Sequence, residues 1–244
     1  VLFTGEPGKD PEPRDVAPKH ARHSGFARSG NHCEGWERRP GGNHPDGWGI
    51  AFRQGEEIRV LRSGKPACAD PQLHEVSART DRFIGHVRYA SNTATVNAAN
   101  SHPFLTHGVA LAHNGTFQGS IGLEAGGRNV SDTLVFLERL CSLWRERTLP
   151  RLKEALSEIL LDPHLVGNYS AANLLIASGD SLFALRRWRR NEDYYTLFLQ
   201  SLPGQVVVAS QPLDDAPGWR PLGNGELAEL RPNAPRSEFL SGMS

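Results

Sequence analysis

Cysteine and methionine are scarce in this chain. Of 244 residues three are cysteine, Cys33, Cys68 and Cys141, and one is methionine, Met243. An odd, scattered cysteine set argues against a disulfide framework and suits a reducing compartment, so a cytoplasmic protein is expected. Charge of one sign is also lacking: 27 Lys and Arg balance 27 Asp and Glu. That balance gives no global pull toward nucleic acid or an anionic membrane. No apolar run approaches the ~20 residues needed to span a bilayer, and no basic-then-apolar signal segment opens the chain. Internal repeats are absent. The length suffices for a sizeable core, and residues 1–244 read as one domain.

The most informative stretch runs from Phe83 to Gly115, FIGHVRYASNTATVNAANSHPFLTHGVALAHNG. Phe83 to Ala90 and Gly108 to Ala112 read as strands, rich in aromatic and β-branched residues and stopped by turn formers. The first presents Arg88, then Tyr89, Ser91 and Asn92; the second runs into His113, Asn114 and Gly115. If the two strands are neighbours in one sheet, a guanidinium and a carboxamide face one small region. Arg offers a planar fork for a carboxylate and stays charged at any working pH. An Asn side chain beside a backbone N–H can hold the oxyanion of an acyl-transfer intermediate, and Gly115 permits φ > 0 and close approach of a ligand. Bland readings stand beside these. Asn-Gly is a hairpin turn signal, and an isolated Arg is usually a surface residue.

GHVRYAS, NSHPF, AHNG and SDT (131–133), in this order and spacing, resemble the class II glutamine amidotransferases, a family of N-terminal-nucleophile hydrolases. The upstream NHPDGWGIAF (43–52) is similar to the HxDGWGI segment of the stand-alone branch of that family. Likeness extends through AANLLIASGDSLFALRR and VVVASQPL. The resemblance implies a four-layer αββα sandwich of two antiparallel sheets with the site at their edge, and it implies no cofactor and no metal. It gives Arg88 the α-carboxylate of glutamine or a γ-glutamyl compound and Asp132 the α-ammonium. Asn114 and the Gly115 backbone would form the oxyanion hole, and Tyr89 and Ser91 would line the pocket. The implied partner is this small-molecule substrate, with ammonia passing to a separate synthase or simply released. Asp132 is equally a first-turn helix charge after the Ser131 cap. In DGWG (46–49) the glycines and Trp48 are read as shaping a turn and packing rather than reacting, and Asp46 is given no role.

One departure matters. The family's nucleophile is a cysteine at the mature N-terminus, whose α-amine is the base, whereas this chain opens with Val1-Leu2-Phe3. Valine cannot attack a carbonyl. Cys141 falls on the apolar face of a helix and reads as a core residue; Cys68 sits in a loop-like segment; Cys33, next to His32, is the weakest of candidates for an activated thiol. A fragment that has lost Met-Cys is the expectation, with an inactive ligand-binding relative as the alternative. Release of Thr4 as a new terminal nucleophile is chemically allowed but has no support in the residues.

In chain order, Val1–Thr4 reads as a strand, Gly5–Pro18 as a loop and Asp15–Ser29 as a weak helix. Gly30–His44 reads as a loop over the pocket. His20, His23, His32 and His44 crowd this region without a carboxylate or cysteine pattern for metal. A hairpin is expected over Trp48–Arg53 and Glu57–Arg62, a short helix over Asp70–Arg79, and amphipathic helices over Ser131–Arg147 and Pro150–Leu161. Strands are expected at Ala172–Ser178, Ser181–Trp188, Tyr194–Leu199, Gln205–Ser210 and Glu226–Arg231. Helices followed by antiparallel strands give an α+β class. Arg186, Arg187, Arg189 and Arg190 around Trp188 carry the composition of a nucleic-acid patch, but Glu192 and Asp193 follow at a hairpin end and favour an internally paired turn.

Overall fold

The computed structural model describes the backbone of residues 2–5 and residues 44–73, 82–90, 95–213, 215–231 and 234–242. The expected helix at 15–29, the loop at 30–43, Cys33 and Ser91 lie outside these residues, and the Cys68 side chain is not described.

Two antiparallel sheets form the centre. The first joins β1 (Leu2–Gly5), β2 (Trp48–Gln54), β3 (Glu57–Ser63) and β4 (Phe83–Val87) with β9 (Phe198–Leu202), β10 (Gln205–Ala209) and β11 (Arg220–Pro221) in the order β11-β9-β10-β1-β4-β2-β3. The second joins β5 (Phe104–Thr106), β6 (Val109–Gly115), β7 (Ala172–Ser178), β8 (Ser181–Arg186), β12 (Glu226–Glu229) and β13 (Arg236–Phe239) in the order β13-β12-β8-β7-β6-β5. Among the described residues the longer helices are α1 (Gly119–Arg128), α2 (Asp132–Leu143) and α3 (Leu149–Leu161), followed by the single turn α4 (Pro163–Val166).

Period-two alternation sorts these strands into layers. On β6, Val109 and Leu111 join the helix-side core with Phe136, Leu140, Trp144 and Leu156, while Ala110 and Ala112 join the core between the sheets with Ile84, Leu175 and Val208. On β2, Trp48 and Ile50 turn to the outer face of the seven-stranded sheet, where Ala67 and Leu73 cover them, and Ala51 turns inward. The β2–β3 hairpin closes on Gly55 at φ 64°, with Gln54 opposite Glu57. A two-residue loop led by a left-handed glycine suits the strand twist.

The β2–β3 hairpin and the expected helices α2 and α3 are present with shifted ends, while the helix expected over Asp70–Arg79 is described only at 71–73; three readings need correction. The strands carrying Arg88 and Asn114 are not neighbours: β4 belongs to one sheet and β6 to the other, and they face each other across the sandwich. Residues 187–197 are not a hairpin turn either. They carry the chain from β8 in one sheet to β9 in the other, so the strand expected from Tyr194 starts only at Phe198. Finally, α1 had no counterpart in the sequence reading. Four glycines hide its pattern, and it buries only Ile121 and Ala125, spaced four apart. Asn129, in the left-handed region, closes it by donating its N–H to Ala125 and Gly126 carbonyls.

Leu156 is fully buried between α3 and the six-stranded sheet. Leu156→Ala removes methyl groups the neighbours cannot replace, and is expected to cost ~2–5 kcal/mol, read as a shift of the urea midpoint at unchanged slope. A loss below about 0.5 kcal/mol would contradict this packing.

Candidate active site

The inward alternation of three strands ends at one place. Ile84, His86 and Arg88 follow each other at two-residue steps along and beyond β4. Ala110, Ala112 and Asn114 do the same on β6, and Ala177, Leu175 and Asn173 on β7, where Asn114 stands opposite Asn173. At the ends of these rows lies a cavity of about 360 Å³. Its lining includes Arg88, Tyr89, Asn114, Gly115 and Asp132, five of the six residues singled out from sequence. The sixth, Ser91, is outside the described residues.

Arg88 is held by its surroundings before any ligand arrives. Its guanidinium donates to the Thr95 carbonyl at 2.9 Å and the Thr95 hydroxyl at 2.8 Å. The fork has five N–H donors, so three remain. Burial pushes its pKa down from the ordinary value, and the nearby Asp46 carboxylate opposes that. Asp46 earns its place as a clamp: its carboxylate accepts from the Ala90 N–H at 2.9 Å, its own N–H reaches the Arg88 carbonyl at 3.1 Å, and the Arg88 N–H reaches the Gly47 carbonyl at 2.8 Å. Trp48, fully buried, donates its indole N–H to Asp70 at 3.1 Å. The turn-and-packing reading of Gly47 and Trp48 describes what they do here, and the clamp made by Asp46 is a role the sequence did not show.

Gly115 has φ 148°, and a Cβ there would stand 2.0 Å from the Ala171 carbonyl oxygen and 2.6 Å from His113 Nε2. Only glycine fits. The Asn114 carboxamide has no hydrogen-bond partner among the described residues and is open to the cavity. Behind it, His113 points the other way, into the helices. Its ring stacks on Phe117 at 4.3 Å, and Phe117 on Phe136 at 4.4 Å. Nε2 lies 3.0 Å from the Ala171 carbonyl and Nδ1 3.1 Å from the Thr133 hydroxyl. A carbonyl only accepts, so Nε2 carries the proton and Nδ1 accepts from Thr133. Burial pushes the His113 pKa down, with Asp132 opposing.

Asp132 is the first-turn helix charge that the sequence suggested, and it also borders the cavity. It opens α2, where the Ser131 hydroxyl caps the Thr133 N–H, and it lines the cavity. One carboxylate oxygen accepts from the Phe117 N–H at 2.6 Å and the other from the Thr133 N–H at 2.8 Å.

Several lining residues escaped the sequence reading. His102 donates from Nδ1 to the His113 carbonyl at 3.0 Å; the 3.4 Å contact from the His113 N–H to the same nitrogen is too long to compete. His86 packs 4.7 Å from the His102 ring, and its buried Nδ1 has no hydrogen bond among the described residues. Asn173 ties the crossing segment down, accepting from the Arg187 N–H at 3.1 Å and donating to the Thr196 carbonyl at 3.5 Å. The available signal was strand periodicity, which turns His86 on β4 and Asn173 on β7 inward; His102, before β5, had none.

The basic cluster near Trp188 is used internally. Arg186 is buried and donates to the carbonyls of Tyr195 (3.0 Å), Leu222 (2.7 Å) and Glu192 (3.2 Å), and its guanidinium sits 4.1 Å from the Trp188 ring centre. Arg187 donates to the Tyr169 hydroxyl at 3.3 Å, and Arg189 lies over the Tyr169 ring. Arg186 is thus held by carbonyls and a ring, with the Glu192 and Asp193 carboxylates close enough to favour its charge. Cys141 is buried, with its thiol pushed up by that burial. Thr4 pairs with Val206 inside β1. Among the described residues no group of three His, Cys, Asp or Glu is placed to hold a metal ion, and no helix is long and apolar enough to cross a membrane.

Two stacked antiparallel sheets, helices against one of them and a polar cavity at their shared edge agree with what comparison with known families gives. The class-II glutamine amidotransferases match residues 30–197, and the chain belongs to that family. Among its relatives, gamma-glutamyl-hercynylcysteine sulfoxide hydrolase of Mycolicibacterium smegmatis is 30% identical over 191 residues, covering 76% of this chain and 78% of the relative. An uncharacterized protein of Methanocaldococcus jannaschii is 28% identical over 220 residues, again across 76% of this chain, but the match spans only 61% of that protein's length. The fold is that of a class-II glutamine aminotransferase domain protein from Silicibacter pomeroyi, with a TM-score of 0.60 at 19% identity over 79% of this chain and 91% of that one.

The histidines give the cavity an acid limit. Burial lowers the pKa of His86 and His113, and that of His102 from 6.5 to about 3. A group with a depressed histidine pKa binds fewer protons folded than unfolded, so the fold loses stability as pH falls below 6.5 and the unfolded chain takes up protons. The loss for His102 accumulates down to about pH 3. Urea midpoints between pH 7.5 and 4 should fall more steeply for the parent than for His102→Gln, which cannot titrate. Parallel slopes would contradict the buried neutral imidazole.

Proposed function

We propose that this protein hydrolyses the side-chain amide of glutamine, or of a γ-glutamyl compound, through a cysteine thioester. The observation that carries the reading is the convergence of Arg88, Asn114, Gly115 and Asp132 on one cavity. Arg88 takes the substrate α-carboxylate on its remaining donors, and Asp132 takes the α-ammonium. The amide carbonyl then lies toward Asn114 and Gly115, with Tyr89 and Ser91 alongside. As the thiolate attacks, the carbonyl oxygen gains charge and is met by the Asn114 N–H and the Gly115 backbone N–H. The C–N bond breaks, the nitrogen leaves protonated as ammonia or an amine, and water hydrolyses the thioester to a free carboxylate. The nitrogen goes to solvent or to a separate synthase.

Strand direction supports a place for the thiol. β1 runs with Leu2 opposite Ile84 of β4 and Val208 of β10, so its leading end heads toward Gly85 and His86, which line the cavity. A cysteine carried at that end reaches the reacting carbonyl. The relative from Mycolicibacterium smegmatis, a γ-glutamyl hydrolase by name, supports a γ-glutamyl amide as substrate.

Headed by Val1, the chain is expected to bind glutamine without turnover. Chains with a terminal cysteine placed directly before Val1, or one or two residues ahead of it, are expected to include a form that releases ammonia from glutamine and is silenced by a thiol alkylator. Failure of all three to turn over would leave a ligand-binding protein instead. In the active form, Arg88→Ala should raise KM roughly 10- to 100-fold by losing a charge-assisted pair, and Asn114→Ala should chiefly lower kcat, by ~100-fold or more. Equal, small effects of both would reduce them to a surface arginine and a turn.

A further inference from the structure

The first turn of α2 touches both ends of the substrate site. Asp132 lines the cavity on one side, and the next residue, Thr133, is fully buried against His113 on the other. The Thr133 hydroxyl has one proton, given to His113 Nδ1 at 3.1 Å, and the Asp132 Oδ1 charge lies 3.5 Å from the same hydroxyl, too long for a good bond but close enough to perturb it. His113 immediately precedes Asn114, and its Nε2 stands where a Cβ on Gly115 would be 2.6 Å away, so this ring forms the floor beneath the residues proposed to meet the oxyanion.

We propose that Thr133 is a positioning residue that couples recognition of the substrate amine at Asp132 to the setting of Asn114 and Gly115 through His113. The inference rests on the reading of Asp132 and Asn114 given above. While the Asp132 carboxylate faces an empty cavity, its negative charge pulls on the hydroxyl proton and weakens the bond that Thr133 makes to His113 Nδ1. An ammonium paired with that carboxylate removes the pull, and the bond to Nδ1 tightens. With Nε2–H already on the Ala171 carbonyl, the ring is then fixed at both nitrogens, between Phe117 and the Gly115 backbone. The turnover step therefore speeds up when an α-ammonium is present, beyond the gain in binding. Such a link is a coupling free energy between two parts of one site, and couplings of this kind are ordinarily worth ~5-fold or more.

The test compares glutamine with its des-amino analogue, 5-amino-5-oxopentanoic acid, in the turnover-competent cysteine-led chain. In the parent, the analogue is expected to lower kcat by about 5-fold or more in addition to raising KM. In Thr133→Val, which keeps the shape and loses the hydroxyl, glutamine and the analogue should have kcat values within about 2-fold of each other, and Thr133→Ser should restore the gap. The kcat ratio is taken within each variant, so a partly unfolded preparation cancels. A Thr133→Val enzyme that keeps the parent's ratio overturns the coupling while leaving the glutaminase reading standing. A parent that turns over neither compound overturns both.

Discussion

One strand seen from its two sides organises the molecule. β6 offers alanine to the other sheet at 110 and 112, and larger side chains to the helices at 109 and 111. Small residues inside leave room for a cavity where the two sheets part, and large residues outside bind the strand to α2 and α3. The same alternation continues to the strand's end, where Asn114 faces the cavity and His113 faces the helices. A slip of one residue would exchange the faces and bury the carboxamide while exposing the imidazole. The full register with β7, from Val109 opposite Ser178 to Gly115 opposite Ala172, prevents that slip.

The seven-stranded sheet brings its contribution from the opposite direction. β4 stops at Val87, and the chain beyond it is held by Asp46 and Gly47 rather than by a neighbouring strand. Arg88 is thereby placed with its fork already half occupied by Thr95. A prepaid arrangement of this kind lowers the ordering cost of taking up a carboxylate.

Local signals in the sequence were enough for the elements whose identity is written in their own residues. The β2–β3 hairpin is bracketed by apolar runs and a glycine tip, and α2 shows its buried stripe at three- and four-residue steps. Arg88, Asn114 and Asp132, singled out through the motifs shared with the family, each sit at the end of such an element and border one cavity. What was not legible depended on distant parts. That β4 and β6 lie in different sheets is decided by the partners each strand finds, β1 and β2 for one, β5 and β7 for the other. The segment 187–197 looked like a turn because charges and short spacing are common to turns and to crossings between sheets. The helix α1 defied its glycines because packing on α2 and α4 outweighs the ~1 kcal/mol that each glycine costs a helix interior. His86 and His102 show nothing in their neighbours along the chain, since their roles arise from meeting each other and His113 in space.

The buried Arg186 separates the cavity into walls of different chemical temper. Its three hydrogen-bond partners are peptide carbonyls of Tyr195, Leu222 and Glu192, and a carbonyl has no proton to gain or lose in the range where proteins live. The wall it secures, from Tyr194 to Leu197, is thus fastened through peptide groups, with Glu192 and Asp193 adding a charge attraction. Opposite stand imidazoles whose neutrality is conditional on pH. As the solution is acidified, the histidine side of the cavity accumulates a reason to open while the carbonyl fastenings of the other side stay unchanged.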